Sequence, residues 1–118
     1  MNDVNIKYIW KDGAYQVISD EQSNMTAEQR KQRPLATGVL DYFPDALMEV
    51  AYCSYIGNEQ HNSGKPLHWD RSKSQDEADA LMRHFSKRGT LDTDGVSHSA
   101  KAAWRALALL QKEIEGGR

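Results

Sequence analysis

The last third of the chain, residues 75–115, constrains the fold most, because it holds two helical patterns joined by an Asp-rich turn. The first pattern has apolar residues at helical spacing and ends near Gly89. Its apolar positions are Ala78, Leu81, Met82 and Phe85. The second pattern begins around residues 95–97 and runs to Glu115, with apolar positions at Ala100, Ala103, Trp104, Leu107, Leu110 and Ile114. Two packed helices are therefore predicted.

A further helix is predicted upstream of this pair. It begins near Pro44, which suits the first turn of a helix, and ends at about Gly57, a residue typical of C-terminal caps. Two apolar stripes run along it, Leu47, Val50, Ala51 and Ser54 on one side and Met48, Tyr52 and Tyr55 on another. A helix that is apolar on two sides is expected to be buried between neighbours.

Residues 58–74 form a long polar connection, and structureless connections of this length are often functional. Ser74 is expected to cap the following helix, with Glu77 as its capping-box partner. Nearer the N-terminus, Thr26 either caps one helical turn through Gln29 or lies in a loop.

The N-terminal segment has the pattern of a β-hairpin. Aromatic and β-branched residues flank Asp12-Gly13, a favoured two-residue turn. A lone hairpin is marginally stable, so it should pack on the helices. We expect a mainly α fold, a compact helical bundle with a short N-terminal β-hairpin. Residues 1–33 would form the hairpin and a polar lead-in, and residues 34–115 the helical domain.

The composition of the 118 residues argues against several classes of protein. The hydrophobic content is 39% and the mean hydropathy is −0.76. Either the surface is very polar or a second copy completes the core. A net charge of −2 does not suit a nucleic-acid binder. No apolar run could span a membrane, and no signal-peptide pattern is present. A single cysteine, Cys53, forms no internal disulfide, so we expect a cytoplasmic protein.

Asp76, Asp79 and Arg83 recur at i, i+3 and i+7 and so share one face of the predicted helix. Two carboxylates one turn apart can bind a hard cation, and an arginine one turn further can bind a phosphate oxygen. The other interpretation is an ordinary solvated face with an ion pair between Asp79 and Arg83.

Asp45 and Glu49 lie four residues apart on the upstream helix. Glu49 interrupts a helix that otherwise has a buried pattern, and a buried carboxylate needs a partner or a metal. Alternatively, Glu49 lies on an exposed edge, and Asp45 only complements the helix dipole.

The turn and the start of the last helix add further candidates. Asp92 and Asp94 precede Gly95, and His98 lies in the first turn of the last helix, where it could meet a phosphate or a carboxylate. His84 follows Arg83 directly and should face a different neighbour, about 100° around the helix.

Several catalytic motifs are absent from the sequence. It has no P-loop, no dinucleotide-binding glycine motif, no H-E-x-x-H and no G-x-S-x-G. His61, His68 and Cys53 lack zinc-ligand spacing. Cys53 lies in an apolar helical context, which favours core packing over a nucleophile.

Four segments together resemble the N-terminal domain of the dATP/dGTP diphosphohydrolases. They are P-L-A-T-G-V-L-D-Y-F-P-D-A-L-M-E-V-A from Pro34, G-N-E-Q-H-N-S-G-K-P-L-H-W-D-R from Gly57, D-A-L-M-R-H-F from Asp79, and D-G-V-S-H-S-A-K-A-A-W-R-A-L-A-L-L from Asp94. This family is similar to the all-α, MazG-like nucleoside triphosphate pyrophosphohydrolases. The resemblance implies Mg²⁺- or Mn²⁺-dependent cleavage of a purine dNTP between the α- and β-phosphates, by a homo-oligomer, in the cytoplasm of a bacterium or of a phage-infected host.

The superfamily motif is E-E-x-x-E on one helix and E-x-x-D on the next. Glu49 matches the last acid of the first element, and Asp76 and Asp79 match the second with Asp for Glu, whereas Asp45 and Ala46 stand at the other first-element positions. The resemblance thus implies Glu49 and Asp79 as catalytic metal ligands, joined by Asp76 and Asp45.

The same resemblance implies a set of substrate contacts. Lys65 and Arg83 would offset the triphosphate charge, and Trp69 would stack on the base. His61, His68 or His98 would contact base, sugar or phosphate. A non-catalytic phage-type protein that sequesters a nucleotide is the main alternative, and a helical scaffold or virion protein is the third.

Overall fold

The computed structural model describes residues 6–11, 14–19 and 25–116, with side chains described for 25–116. Strands β1 (Ile6–Lys11) and β2 (Ala14–Ser19) pair antiparallel, with Tyr8 opposite Val17. The Asp12-Gly13 turn and the side chains of both strands lie outside the described residues. The predicted hairpin, and its packing on the helices, therefore stay predictions.

The rest of the described chain is mainly helical, which confirms the predicted fold class at that level. It contains α1 (Ala27–Lys31), a π-helical turn (Ala36–Leu40), α2 (Pro44–His61), α3 (Glu77–Ser86) and α4 (His98–Glu115). Helix α4 packs along α3 and also contacts α2. No helix in the described part of the chain is long and apolar enough to cross a membrane.

Helix α1 has the capping box that its sequence allows. The Thr26 hydroxyl accepts a hydrogen bond from the Gln29 amide at 3.1 Å, and the Gln29 side chain accepts one from the Thr26 amide at 2.9 Å. Two amide donors at the start of the helix are thereby satisfied. Of the two alternatives at Thr26, the helical turn is confirmed.

Helix α2 begins at Pro44 as predicted but continues past Gly57 to His61, so the predicted end was wrong. The reason is the buried Asn58, whose side-chain amide donates to the Lys65 carbonyl at 3.0 Å and folds the connection back onto the helix. The expected burial of both stripes was also wrong. Met48, Tyr52 and Tyr55 are exposed, whereas Leu47, Val50 and Ser54 are half-buried.

Helix α3 does not have the predicted capping box. Its N-cap residue is Asp76, and Ser74 instead donates to the Asp76 carboxylate at 2.8 Å. Glu77 is buried, and Lys112 of α4 donates to its carboxylate at 3.0 Å. A charged partner from another helix replaces the local cap, because hydrogen bonds between charged groups are the stronger ones.

The apolar stripe predicted for α3 was partly wrong. Ala78, Met82 and Phe85 are exposed, and only Leu81 of the predicted set is half-buried. The less exposed positions of α3 are Glu77, Ala80, Leu81 and His84. Two of these less exposed positions, Glu77 and His84, hold polar side chains that contact partners on α4.

Helix α4 begins at His98, where Ser97 accepts a hydrogen bond from the Ala100 amide at 3.2 Å. Its buried residues include the alanines Ala100, Ala102 and Ala108, and small side chains let neighbouring helices approach closely. Leu107 and Leu110, which the periodicity places in the core, are 52% and 47% exposed. Trp104 is half-buried and donates to the Ser54 hydroxyl at 2.8 Å, which joins α4 to α2.

Candidate functional site

A cavity of about 640 Å³ lies where the end of α2, the connection between α2 and α3, and the N-terminal half of α4 meet. This volume is in the range of small-molecule sites. The side chains that line the cavity and are used below are Cys53, Asn58, His61, His68, Trp69, Asp70, Arg71, Lys73, Ser74, His84, Asp94, Lys101, Trp104 and Arg105.

Three of the predicted substrate-binding residues, His61, His68 and Trp69, line this cavity together. The other three, Lys65, Arg83 and His98, are not among its lining residues. Lys65 and Arg83 are exposed, and His98 is only 6% exposed. The structure thus brings half of the predicted set to one cavity.

Trp69 is held at the wall of the cavity by two contacts. Its ring meets the ring of Trp104 edge to face, with 5.5 Å between centroids, and the Arg71 guanidinium lies 4.1 Å from its centroid. Arg71 is fixed in turn by two hydrogen bonds to the Glu115 carboxylate, of 2.6 and 2.8 Å. The tryptophan is therefore positioned by both the connection and α4.

The C-terminal end of the connection, at Ser74, is also anchored to α4. Lys112 donates to the Ser74 carbonyl at 2.6 Å and to Glu77, and Arg105 donates to the Ser74 hydroxyl at 3.1 Å. Burial raises the pKa of Glu77, but the hydrogen bonds from Lys112 and from its own backbone amide outweigh it, so the pKa is lowered overall. Glu77 therefore remains a carboxylate at neutral pH.

Lys101 lies between two aspartates of the turn. Its ammonium donates to Asp92 at 2.7 Å and to Asp94 at 2.8 Å. The hydrogen bond from Lys101, together with the Thr93 amide, holds the pKa of Asp92 far below its usual range. Burial lowers the pKa of Lys101, but the two hydrogen bonds outweigh it and raise the pKa overall. All three groups are thus charged at neutral pH.

Next to this network, two histidines meet across α3 and α4. The Nδ1 atoms of His84 and His98 are 2.9 Å apart, and the His98 Nε2 lies 4.0 Å from an Asp92 oxygen. Burial, and then the neighbouring His98, lower the pKa of His84. One potential ligand atom from each of the three residues lies within 4.8 Å of the others. The arrangement offers two imidazoles and one carboxylate.

The comparison with family profiles decides the family. The profile described as dATP/dGTP diphosphohydrolase, N-terminal, matches residues 23–118. The chain belongs to this family. Searches of the curated proteins and of the solved structures found no match.

In this member of the dATP/dGTP diphosphohydrolase N-terminal family, the four predicted metal ligands lie on the surface of the single chain. Asp45, Glu49 and Asp79 are exposed, so of the two alternatives at Glu49 the structure has the exposed helix edge. Asp76 accepts hydrogen bonds from Arg83 at 2.9 Å and from Ser74, and these lower its pKa. Among residues 25–116, these carboxylates form no cluster of three potential ligands. Their role as ligands stays a prediction.

For this family member, sequence reasoning placed His84 and Arg83 on different sides of α3, and the structure confirms it. Arg83 pairs with Asp76, whereas His84 faces His98. It missed that His84 and Asp92 converge with His98, and it missed Lys101 and Asn58. The available signal was that His84 and His98 lie on either side of one short turn that contains Asp92. Sequence spacing alone does not determine how that turn folds.

Proposed function

We propose that this chain binds a purine deoxynucleoside triphosphate, dATP or dGTP, and hydrolyses it between the α- and β-phosphates to a dNMP and pyrophosphate. The observation that carries the proposal is the cavity itself, in a chain of the dATP/dGTP diphosphohydrolase family. Its volume suits a nucleotide, and one wall is an indole held in place by Arg71.

The charge of the cavity supports a polyanionic ligand. Its lining holds four cationic side chains, Arg71, Lys73, Lys101 and Arg105, and two carboxylates, Asp70 and Asp94. Arg71 and Lys101 hydrogen-bond to carboxylates, which leaves Lys73 and Arg105 as the cations best placed to bind phosphate. Cationic groups in a partly enclosed site attract phosphate and stabilise charge that develops on it. Lys65 and Arg83, which lie outside the lining, would offset further triphosphate charge.

The aromatic and amide groups suit a purine base. Arg71 covers one face of Trp69, so the base would stack on the remaining surface of the ring. Asn58 lines the same cavity, and its Oδ1 is buried without a hydrogen-bond partner among the described residues. Turned toward the cavity, this acceptor would be complementary to the exocyclic amino group of adenine or guanine. His61 and His68 would contact sugar or phosphate.

The proposed reaction uses Mg²⁺ or Mn²⁺. Glu49 and Asp79, with Asp76 and Asp45, supply the carboxylate oxygens that hard cations prefer, and Mg²⁺ often takes only one or two of them when phosphates supply the rest. When bound, such an ion neutralises phosphate charge and lowers the pKa of an attacking water. Glu49 and Asp79 do not line the cavity of the single chain, so their carboxylates would orient this water and accept its proton from beside the cavity.

One observation favours a second candidate function, the sequestration of an intact nucleotide. Asp45, Glu49 and Asp79 are exposed, and with Asp76 they form no three-ligand cluster within residues 25–116. A binding protein would use the same cavity without that cluster.

The proposal also includes a homo-oligomer, a dimer or larger, in the cytoplasm. Exposed apolar side chains support self-association: Met48, Tyr52 and Tyr55 on α2, and Leu107 and Leu110 on α4. The deoxynucleotide substrate would be met in the cytoplasm of a bacterium or of a phage-infected cell.

The test combines calorimetry with product analysis for dATP and dGTP, in Mg²⁺ and in Mn²⁺. Hydrolysis predicts dNMP and pyrophosphate, with turnover lowered at least about 100-fold in Glu49→Gln and Asp79→Asn, as expected when a water-positioning group is removed. The matched control is Glu59→Gln, an exposed glutamate on the same helix as Glu49, which should keep full activity. Binding with complete recovery of the triphosphate would support sequestration instead. Neither binding nor turnover with any nucleotide would contradict both functions.

A further inference from the structure

We propose that His84, Asp92 and His98 form a binding site for a divalent transition-metal ion of the Zn²⁺ type, open to the cavity. The proposal rests on the geometry of these three side chains and does not depend on nucleotide hydrolysis. It adds a metal site that differs from the carboxylate set in both its residues and the kind of ion it favours.

The separation of the two histidines fits a shared ion. Zinc binds imidazole nitrogens at about 2.0–2.1 Å, so two nitrogens on one ion are about 3.3 Å apart at a tetrahedral angle and about 2.9 Å apart at a right angle. The Nδ1 atoms of His84 and His98 are 2.9 Å apart. Two imidazole nitrogens at this distance share either a proton or a metal ion. The Asp92 carboxylate supplies a third potential ligand atom within 4.8 Å of the other two, which makes a shared metal ion the proposed arrangement.

The surrounding charges favour a cation as well. Asp92 and Asp94 each carry a negative charge, Lys101 carries a positive charge, and both aspartates hydrogen-bond to it. Two aspartates and one lysine leave these three groups with a net negative charge between them. The Lys101 and Thr93 hydrogen bonds also fix the orientation of the Asp92 carboxylate. Ligands that are held in place in this way bind metals more tightly.

The donor set determines which ion fits. Imidazole nitrogen suits Zn²⁺ and its transition-metal neighbours, whereas Mg²⁺ prefers oxygen ligands. Three protein ligands leave a position open on a four-coordinate zinc. Since His84 lines the cavity beside Lys101 and Asp94, an ion could enter there, and the open position would face a water or a bound oxygen ligand.

The proposal is tested on the full chain, stripped of metal with a chelator and kept free of nucleotide. Zn²⁺ is then titrated in competition with a chromophoric chelator. We expect one saturable ion per chain, with Mg²⁺ in excess failing to displace it. His84→Gln and Asp92→Asn should each weaken binding at least about 100-fold, since loss of even an orienting partner costs 10- to 100-fold. Circular dichroism in zinc-free buffer checks that both variants fold.

The matched control is Cys53→Ser, because this thiol lines the same cavity and is a potential zinc ligand outside the proposed set. It should bind Zn²⁺ as the unaltered chain does. The unaltered chain loaded with Co²⁺ provides a readout that needs no variant, since nitrogen ligation at a four-coordinate site produces intense visible absorption. A lack of saturable binding, equal affinity in His84→Gln, loss of binding in Cys53→Ser, or a Co²⁺ spectrum like that of the free ion would each overturn the proposal.

Discussion

Arg71 forms a bidentate ion pair with Glu115, in which its Nε and Nη2 donate to the two carboxylate oxygens at 2.6 and 2.8 Å. The pair joins the connection between α2 and α3 to the last residue of α4. Gln111 donates to the same carboxylate at 3.0 Å. Because Arg71 also lies on the face of Trp69, this contact fixes the aromatic wall of the cavity.

Replacement of Glu115 should therefore loosen the connection. Glu115→Gln should lower the free energy of unfolding by about 1–2 kcal/mol, because Arg71 loses a charged partner in a half-buried setting. Urea denaturation measures this change. The exposed Glu28→Gln is the control and should change stability by less than about 0.5 kcal/mol. An unchanged midpoint in Glu115→Gln would show that the pair contributes nothing.

Stability should also depend on the protonation of His84. Its folded pKa lies below the ordinary value of 6.5, so the unfolded chain binds the proton more tightly. This contribution to stability is present above pH 6.5 and is lost as the pH falls through the folded pKa. Metal-free protein should thus show a falling urea midpoint as the pH drops below about 6.5, and His84→Gln should flatten that slope. An identical slope in the variant would contradict this assignment.

A further loss of stability is expected at lower pH from the carboxyl groups. The pKa values of Glu77, Asp92 and Asp94 are lowered by hydrogen bonds from lysines, after opposing effects of burial. Their contribution is present above the unfolded pKa near 4 and is lost as the pH falls through the folded values.

The buried pair between Glu77 and Lys112 should show measurable coupling. Glu77 is 5% exposed, and Lys112 contacts it at 3.0 Å. Either single change, Glu77→Gln or Lys112→Met, should cost about 2–4 kcal/mol, because it removes the nearest charged partner of the remaining residue, with Arg105 the next nearest to Glu77 at 3.7 Å. The double variant should lose less free energy of unfolding than the two single variants lose together, with a coupling energy of at least about 1 kcal/mol. Additive losses in urea denaturation would show that the two charges do not interact.

The sequence predicts the helices well, because helix periodicity and caps are local properties. The spacing of Thr26 and Gln29 specifies a capping box, and Pro44 specifies the start of α2, as observed. The same local logic assigns Ser74 and Glu77 to a capping box as well. There it is wrong, since Lys112, 35 positions along the chain, binds Glu77. A local pattern does not reveal a distant charged partner.

The site is harder to predict than the fold, because its residues converge through turns. His61 ends α2, and His68 and Trp69 follow on the connection, so the sequence indicates their shared region. His84, Asp92 and His98 come together because the chain reverses at Gly95, whose φ of +81° favours glycine, and because the Asp92 amide donates to the Val96 carbonyl. Helix spacing contains no information about this convergence.

The most direct test of the proposed function is the identity of the phosphorus-containing products from dATP and dGTP. Each nucleotide is incubated with the full chain and Mg²⁺ or Mn²⁺ in separate reactions, and ³¹P NMR follows the products over time. Cleavage between the α- and β-phosphates predicts equal amounts of pyrophosphate and deoxynucleoside monophosphate. Both should form at the rate at which dATP or dGTP disappears. Release of inorganic phosphate or of triphosphate, or recovery of the unchanged nucleotide, would contradict the proposed reaction.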